Sequence, residues 1–260
     1  MLSYQHLYHA GNPADVHKHA ILAWMLERLC EKPKPLTYIE THAGRALYDL
    51  GSEEARKTGE GAAGIGKMLG RFAPDHPFCR VVETLRDNAG GDAYPGSPLI
   101  AAGLMRKTDR LHLAELHPQE HEALRVAMRG KAKVHKADGF ELALSLSPPD
   151  PRRGMLLIDP SYEIKEDYER LPKFIAQVNK VWNVGVIALW YPVLRDGRHR
   201  AMVRALQGAN LPKVVHSEVA FPPVREGHGM VGSGMFVLNA PFGLAEEATR
   251  LATMFTEITA

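Results

Sequence analysis

From residue 111 to beyond residue 195 the chain alternates short apolar runs with helical stretches, and no other feature restricts its fold as much. LHLAEL, AKVHKA, MLLID and VGVIALWYP read as strands, with helices expected from His117, Asp138, Lys165 and Arg195. Strands separated by helices cannot pair as hairpins. They line up in parallel through right-handed crossovers, so the expected fold is α/β, with helices on both faces of the sheet. Met155 to Ile158 is unbroken apolar sequence, as in a strand buried on both sides. The pattern changes near the C-terminus. KVVHSEVAFP and GMFVLNAP follow each other without a helix between them, so they are expected to pair antiparallel before a final helix.

Upstream, Asn12, Pro13 and Asp15 read as an N-cap, a first-turn proline and an N3 acid. The helix they open carries Leu22, Leu26 and Leu29 on one face and stops before Pro33, and LTYIE (36–40) is the first strand. Residues 51–93 are glycine-broken and helical, with no convincing strand until residue 111. They are expected to form a small inserted helical subdomain in a core made of residues 1–50 and 94–260. Ser97 is expected to cap the helix that begins at Pro98. With 45% hydrophobic and 24% charged residues, the composition is that of a globular domain. No apolar run is long enough for a membrane span, and MLSYQHLYHAGN has neither the basic start nor the apolar core of a secretory signal. Cys30 and Cys79 stand far apart without a CxxC, which suits a cytoplasmic location and argues against structural zinc.

A parallel sheet puts every strand's C-terminal end on one edge. Four strands end on or just before a carboxylate there: Glu40, Glu115, Asp138 and Asp159. Carboxylates at buried strand ends are costly unless something pairs with them, so the rim reads as a binding site. Glu115, after the second strand of a nucleotide fold, suits ribose hydroxyls. Asp138 suits an adenine amino group, with Gly139 letting the backbone come close. The turn after the first strand has one glycine, Gly44, and lacks the G-x-G-x-x-G that would cradle a pyrophosphate. That favours S-adenosylmethionine, which has a ribose and an adenine but no phosphate.

The fourth strand runs into DPSY (159–162), which resembles the (Asp/Asn)-Pro-Pro-aromatic signature of amino-group methyltransferases. YQHLYHAGNPADVHKH, ETHAGRALY, YPGSP, LAELHP, KADGF, ALWYPV and GSGM, in that order, resemble one family over essentially the whole chain. It is the bacterial 23S rRNA adenine-2030-N6 methyltransferases of the RlmJ type. The resemblance implies a class I, Rossmann-like methyltransferase with S-adenosylmethionine as methyl donor and no metal. It also implies donor contacts at His19, His42, Ser97, Glu115, Asp138, Gly139 and Asp159, catalysis at Asp159, and a substrate contact at Tyr4. His6 and Lys18 belong to the same N-terminal motif and are expected to assist on the substrate side. The partner implied is 23S rRNA, with no membrane, no obligate protein partner and a monomeric chain. Two departures stand out: Ser161 replaces the second proline, and Ala46 stands where a second glycine often follows Gly44.

The chemistry asks for such residues. An adenine amino nitrogen is a poor nucleophile because its lone pair is delocalised into the ring. Asp159 and the Pro160 carbonyl, accepting its two N–H bonds, would draw it toward tetrahedral geometry, and Tyr162 would stack on the extruded base. Several features have simpler readings. Arg195, Arg198, Arg200 and Arg204 are either phosphate contacts or a solvated helix face. Ser97 can act as a cap alone, Trp190-Tyr191-Pro192 is core or pocket wall, and GHGMVGSGM (227–235) is most simply a hairpin with glycine turns. His6, His9, His17 and His19 have no metal-binding spacing. Two rival functions remain at this point: a catalytically silent RNA-binding module, or a methyltransferase acting on DNA adenine or on a glutamine side chain.

Overall fold

A computed structural model of the protein describes residues 6–223 and 229–259; Tyr4 lies outside them. After a 3-10 turn at His6–Tyr8 the chain forms α1 (Pro13–Cys30) and β1 (Thr37–Glu40), then β2 (Leu47–Asp49). Next come α2 (Glu53–Thr58), α3 (Glu60–Ala63), α4 (Ile65–Met68), α5 (Pro77–Ala89) and β3 (Ala93–Pro95). Strand and helix then alternate: α6 (Ser97–Leu104), β4 (Arg110–Ala114), α7 (Pro118–Ala127), β5 (Lys133–His135), α8 (Gly139–Leu146), β6 (Gly154–Ile158), α9 (Asp167–Val181), β7 (Val186–Leu194) and α10 (His199–Gln207). The chain closes on β8 (Val215–Ala220), β9 (Met230–Leu238) and α11 (Leu244–Thr259).

Seven strands make one sheet in the order β5-β4-β1-β6-β7-β9-β8. The first five are mutually parallel, and β9 enters between β7 and β8 antiparallel to both. The strand period explains why two helical layers are needed. Met155 and Leu157 of β6 face one apolar layer, with Tyr38 of β1 and α1, α6 and α11. Leu156 and Ile158 face the other, with Ile39 and the apolar stripes of α9 and α10.

Residues 51–93 leave and return at a single point, because β2 pairs antiparallel with β3 and Asp49 lies opposite Ala93. The sequence had promised no strand between the first, at 36–40, and residue 111, and each of these strands is only three residues long. Ile65, Met68, Phe72, Phe78 and Val82 from this segment pack in the same apolar layer as α1. Its glycines serve close approach: a Cβ at Gly64 would lie 2.1 Å from the Gly11 carbonyl oxygen.

Two further expectations are corrected. Ser97 is the first residue of α6 rather than its cap; Gly96 holds the cap position, and the Ser97 hydroxyl goes to Glu40. From Met230 onward the GHGMVGSGM stretch is unbroken strand, not a glycine-turn hairpin. Gly232 and Gly234 are needed there for packing, since a Cβ would lie 2.4 Å from the Val219 carbonyl oxygen and 2.1 Å from the Tyr191 ring, respectively. Residues 224–228 lie outside the described residues.

Candidate active site

A cavity of about 450 Å³ opens at the C-terminal ends of β1, β4, β5 and β6, closed on one side by α1 and the N-terminal segment. His6, Lys18, His19, His42, Ser97, Glu115, Asp138, Gly139, Asp159, Pro160 and Tyr162 all line it, so every described residue expected at the site lies on one wall or another. Glu40 is the exception among the four rim acids. It is fully buried beneath the cavity, accepting from the Tyr38 hydroxyl at 2.9 Å and from Ser97. Burial raises its carboxyl to about 8, against the opposing pull of the two hydroxyl donors.

The donor side is organised by backbone amides. Glu115 accepts from Gly44 N at 2.9 Å and from His117 N at 2.7 Å, which clamps the turn after β1 onto the end of β4. Asp138 caps α8, its Oδ1 accepting from Phe140 N and Glu141 N at 2.8 and 3.0 Å. Its Oδ2 accepts from no described residue, and Asp138 lines the cavity. Gly139 is required for a reason of its own: a Cβ there would lie 1.8 Å from the Thr41 carbonyl oxygen. His42 bonds Thr41 at 2.8 Å and meets the Phe140 ring edge-on at 5.1 Å; burial lowers it to about 4. Ala46, the substituted glycine, has φ +69°, a backbone conformation that favours glycine.

On the opposite wall an ionic chain crosses the site. His6 Nε2 lies 2.8 Å from Asp15 Oδ2, Asp15 Oδ1 lies 3.0 Å from Lys18 Nζ, and Lys18 Nζ lies 2.7 Å from Asp159 Oδ2. Burial opposes the charge on Lys18, but Asp159 and Asp15 outweigh it and hold the ammonium above its ordinary value. Burial would raise Asp15 too, yet His6, Lys18 and His19 bring it well below the ordinary range. Lys18 also lies 5.2 Å from the Trp190 ring centre, so Trp190 is pocket wall. Burial lowers His19 to about 3, and its Nδ1 bonds the Tyr94 hydroxyl at 2.8 Å.

Asp15 was not expected here. It reads as a good helix N3 acid, and its amide does bond the Asn12 side chain at 2.8 Å. The available signal was spacing: Asp15, Lys18 and His19 share one helix face. Glu60 was also missed. Buried in α3, it bonds His9 at 3.0 Å and Asn12 at 3.1 Å, fixing the N-terminal motif from the 51–93 segment. His17 is a core residue, bonded to Ser233 at 2.9 Å and Ser217 at 3.0 Å. Among the described residues no cluster of His, Cys, Asp or Glu could hold a metal.

At the DPSY loop, Tyr162 takes φ +57°, a left-handed conformation rare outside glycine, and donates its hydroxyl to the Trp190 carbonyl at 2.6 Å. Its ring lies 4.8 Å from Tyr168 and 6.0 Å from Trp190. Arg195, Arg198, Arg200 and Arg204 are all exposed, and Arg198 pairs with Asp196 through Nε at 2.7 Å.

A seven-stranded sheet of this order, with its single antiparallel insertion and carboxylates at the strand ends, is the fold of a class I methyltransferase. The family described as ribosomal RNA large subunit methyltransferase D, RlmJ, matches residues 33–260, and the chain belongs to that family. It is 41% identical to ribosomal RNA large subunit methyltransferase J of Escherichia coli K12, over 95% of this chain and 90% of that one. The Haemophilus influenzae protein of the same name is 39% identical, over 99% of this chain and 94% of that one. A crystal structure of a Legionella pneumophila protein superimposes with a TM-score of 0.87 at 33% identity, covering 96% of this chain and 94% of that one.

Proposed function

We propose that the protein transfers a methyl group from S-adenosylmethionine to the N6 amino group of an adenine in 23S rRNA, position 2030 by the family resemblance. The observation that carries this reading is Asp159. It ends the central strand β6 on the cavity wall with Oδ2 held by buried Lys18 and Oδ1 left to accept from a substrate amine. The cavity suits the donor. Glu115 and Asp138 supply acceptors for ribose hydroxyls and an amino base, Phe140 an apolar wall, and no glycine-rich cradle calls for a phosphate. His19, His42, Ser97 and Gly139 complete the proposed donor pocket. S-adenosylmethionine supplies an electrophilic methyl group on its sulfonium.

The residues of the chain do the positioning. Asp159 and the Pro160 carbonyl accept the two N–H bonds of the target amine and turn its lone pair toward the methyl group. As the N–C bond forms, the methyl–sulfur bond breaks and the amine loses one proton to Asp159 or to solvent. Lys18 fixes one Asp159 oxygen, and His6 reaches Lys18 through Asp15. Tyr162 and Trp190 form the aromatic wall against which the extruded base stacks, and Tyr4 is proposed to touch the substrate. The relatives' names support ribosomal RNA as the substrate. We place the reaction in the cytoplasm and read residues 51–93 as an insert that braces the N-terminal motif through Glu60.

Labelled donor offered with unmodified 23S rRNA, duplex DNA or a glutamine-containing peptide tests the reading. Label in the rRNA alone is expected. Transfer only to DNA or peptide would contradict it, and donor binding without transfer to any of them would favour a silent binding module.

A further inference from the structure

Tyr168 stands in the first turn of α9, 7% exposed, on the cavity wall. Its hydroxyl oxygen is closed off from solvent and has no hydrogen-bond partner among the described residues. Native proteins keep few such groups, because a polar atom that has lost water and gained nothing is costly. The other buried side-chain oxygen in this state, on Asn179, does not line the cavity. Tyr168 also contrasts with its neighbour. The Tyr162 ring packs 4.8 Å from it, yet Tyr162 has its hydroxyl anchored on the Trp190 carbonyl.

Arg198 and Asp196, from the loop that enters α10, act on the Tyr168 phenol electrostatically. Asp196 is already engaged, accepting from the Arg198 backbone N–H at 3.1 Å and from its Nε at 2.7 Å. One terminal nitrogen of the exposed guanidinium also pairs with Asp196, and the other, Nη1, has no partner among the described residues and is left to meet an anion. A phenol O–H beside an arginine is a donor pair suited to a phosphate oxygen, and the amine of a target base is already served by Asp159 and Pro160.

We infer that RNA binding opens this wall and that the Tyr168 hydroxyl is then a substrate-binding group, donating to a phosphate oxygen of the RNA strand next to the target adenosine, with Arg198 gripping the same phosphate. This rests on the RNA reading above. It explains why a buried hydroxyl is kept at this place without an internal partner, and it assigns to the wall behind Tyr162 the task of registering the strand while the base enters the cavity.

Tyr168→Phe tests it, because only the oxygen is removed and the ring still packs on Tyr162. The variant should melt at the wild-type temperature or above it, since no internal bond is lost, and should bind the methyl donor as the wild type does. In single-turnover reactions with unmodified 23S rRNA, the half-saturating RNA concentration should rise about tenfold, the scale of one lost charge-assisted hydrogen bond. The rate at saturating RNA should stay within about twofold of wild type. Tyr168→Phe combined with Arg198→Gln should weaken RNA binding by less than the product of the two single effects. Unchanged RNA affinity would overturn the assignment. So would a lost maximal rate at unchanged affinity, which would put the hydroxyl on the base, or a melting temperature several degrees lower, which would give it an internal partner. Wild-type protein that methylates no RNA would overturn the RNA reading, and this assignment with it.

Discussion

The ammonium of Lys18 lies 2.7 Å from the carboxylate of Asp159, a residue 141 positions away in the chain. The contact ties the N-terminal helix to the end of the central strand, and a second carboxylate, Asp15, sits 3.0 Å from the same nitrogen. The two ends of this contact therefore tolerate removal differently.

Asp159→Ala leaves Lys18 paired with Asp15, so the protein should stay folded, with a cost of about 1–2 kcal/mol. Methyl transfer should be abolished. Lys18→Met leaves the buried Asp15 facing Asp159 without the ammonium between them, and should cost about 3–5 kcal/mol. Urea unfolding of the two variants checks the order. Equal losses would mean that the ion pair does not organise this wall.

Glu115→Ala should weaken donor binding by about 1–3 kcal/mol, the range for hydrogen bonds to a carboxylate. The change also frees the Gly44 and His117 amides, so the turn after β1 loses its clamp. Calorimetry with the donor gives the answer; wild-type affinity would refute the ribose assignment.

Glu40 predicts a pH dependence of stability. Its carboxyl is raised by burial from 4.5 to about 8, so the folded chain holds this proton through a range where the unfolded chain releases it. The stability it contributes is full below pH 4.5, declines as pH rises, and is lost once pH passes 8. Glu40→Gln abolishes the titration. Its stability relative to wild type should therefore improve from about pH 5 to about pH 9, as measured by denaturant unfolding at both ends. A constant difference would mean that Glu40 titrates normally.

The exposed arginines predict a salt effect. Changing Arg195, Arg198, Arg200 and Arg204 together to Gln should make RNA binding less sensitive to salt. The log–log slope should fall by about 0.7–0.9 for each arginine that engages a phosphate. Matching slopes for variant and wild type would identify the four as a solvated face.

Ser161→Pro should be tolerated. No described residue accepts from the Ser161 amide, so the N–H that proline removes has no bond to lose. Proline would also hold Pro160 in extended geometry, with its carbonyl toward the amine. Methyl transfer is expected within about tenfold of wild type, or ~1.4 kcal/mol of barrier. An inactive but folded variant would give the serine a role of its own.

The large strands were legible because burial on both faces writes them as unbroken apolar runs, MLLI of β6 above all. The rim followed from topology, since parallel strands deliver their last residues to one edge. Strands β2 and β3 were not legible: at three residues each, with Leu47 and Asp49 exposed, they have no pattern to detect. Ser97 and Asp15 misled for another reason. Each fits a local capping rule in the sequence, while the Ser97 hydroxyl serves distant Glu40 and the Asp15 carboxylate joins Lys18, one helical turn on, in a contact that leads to Asp159. The Tyr168 hydroxyl, without a partner among the described residues, left no trace at all, because a phenol in an amphipathic helix looks the same with or without a partner.

The most direct test of the central claim is nucleoside analysis of 23S rRNA that lacks the modification, after incubation with S-adenosylmethionine and either wild-type protein or Asp159→Ala. The account predicts N6-methyladenosine at a single adenine with the wild type and none with the variant. A methyl group on another atom or base, or equal yields from the two proteins, would contradict it.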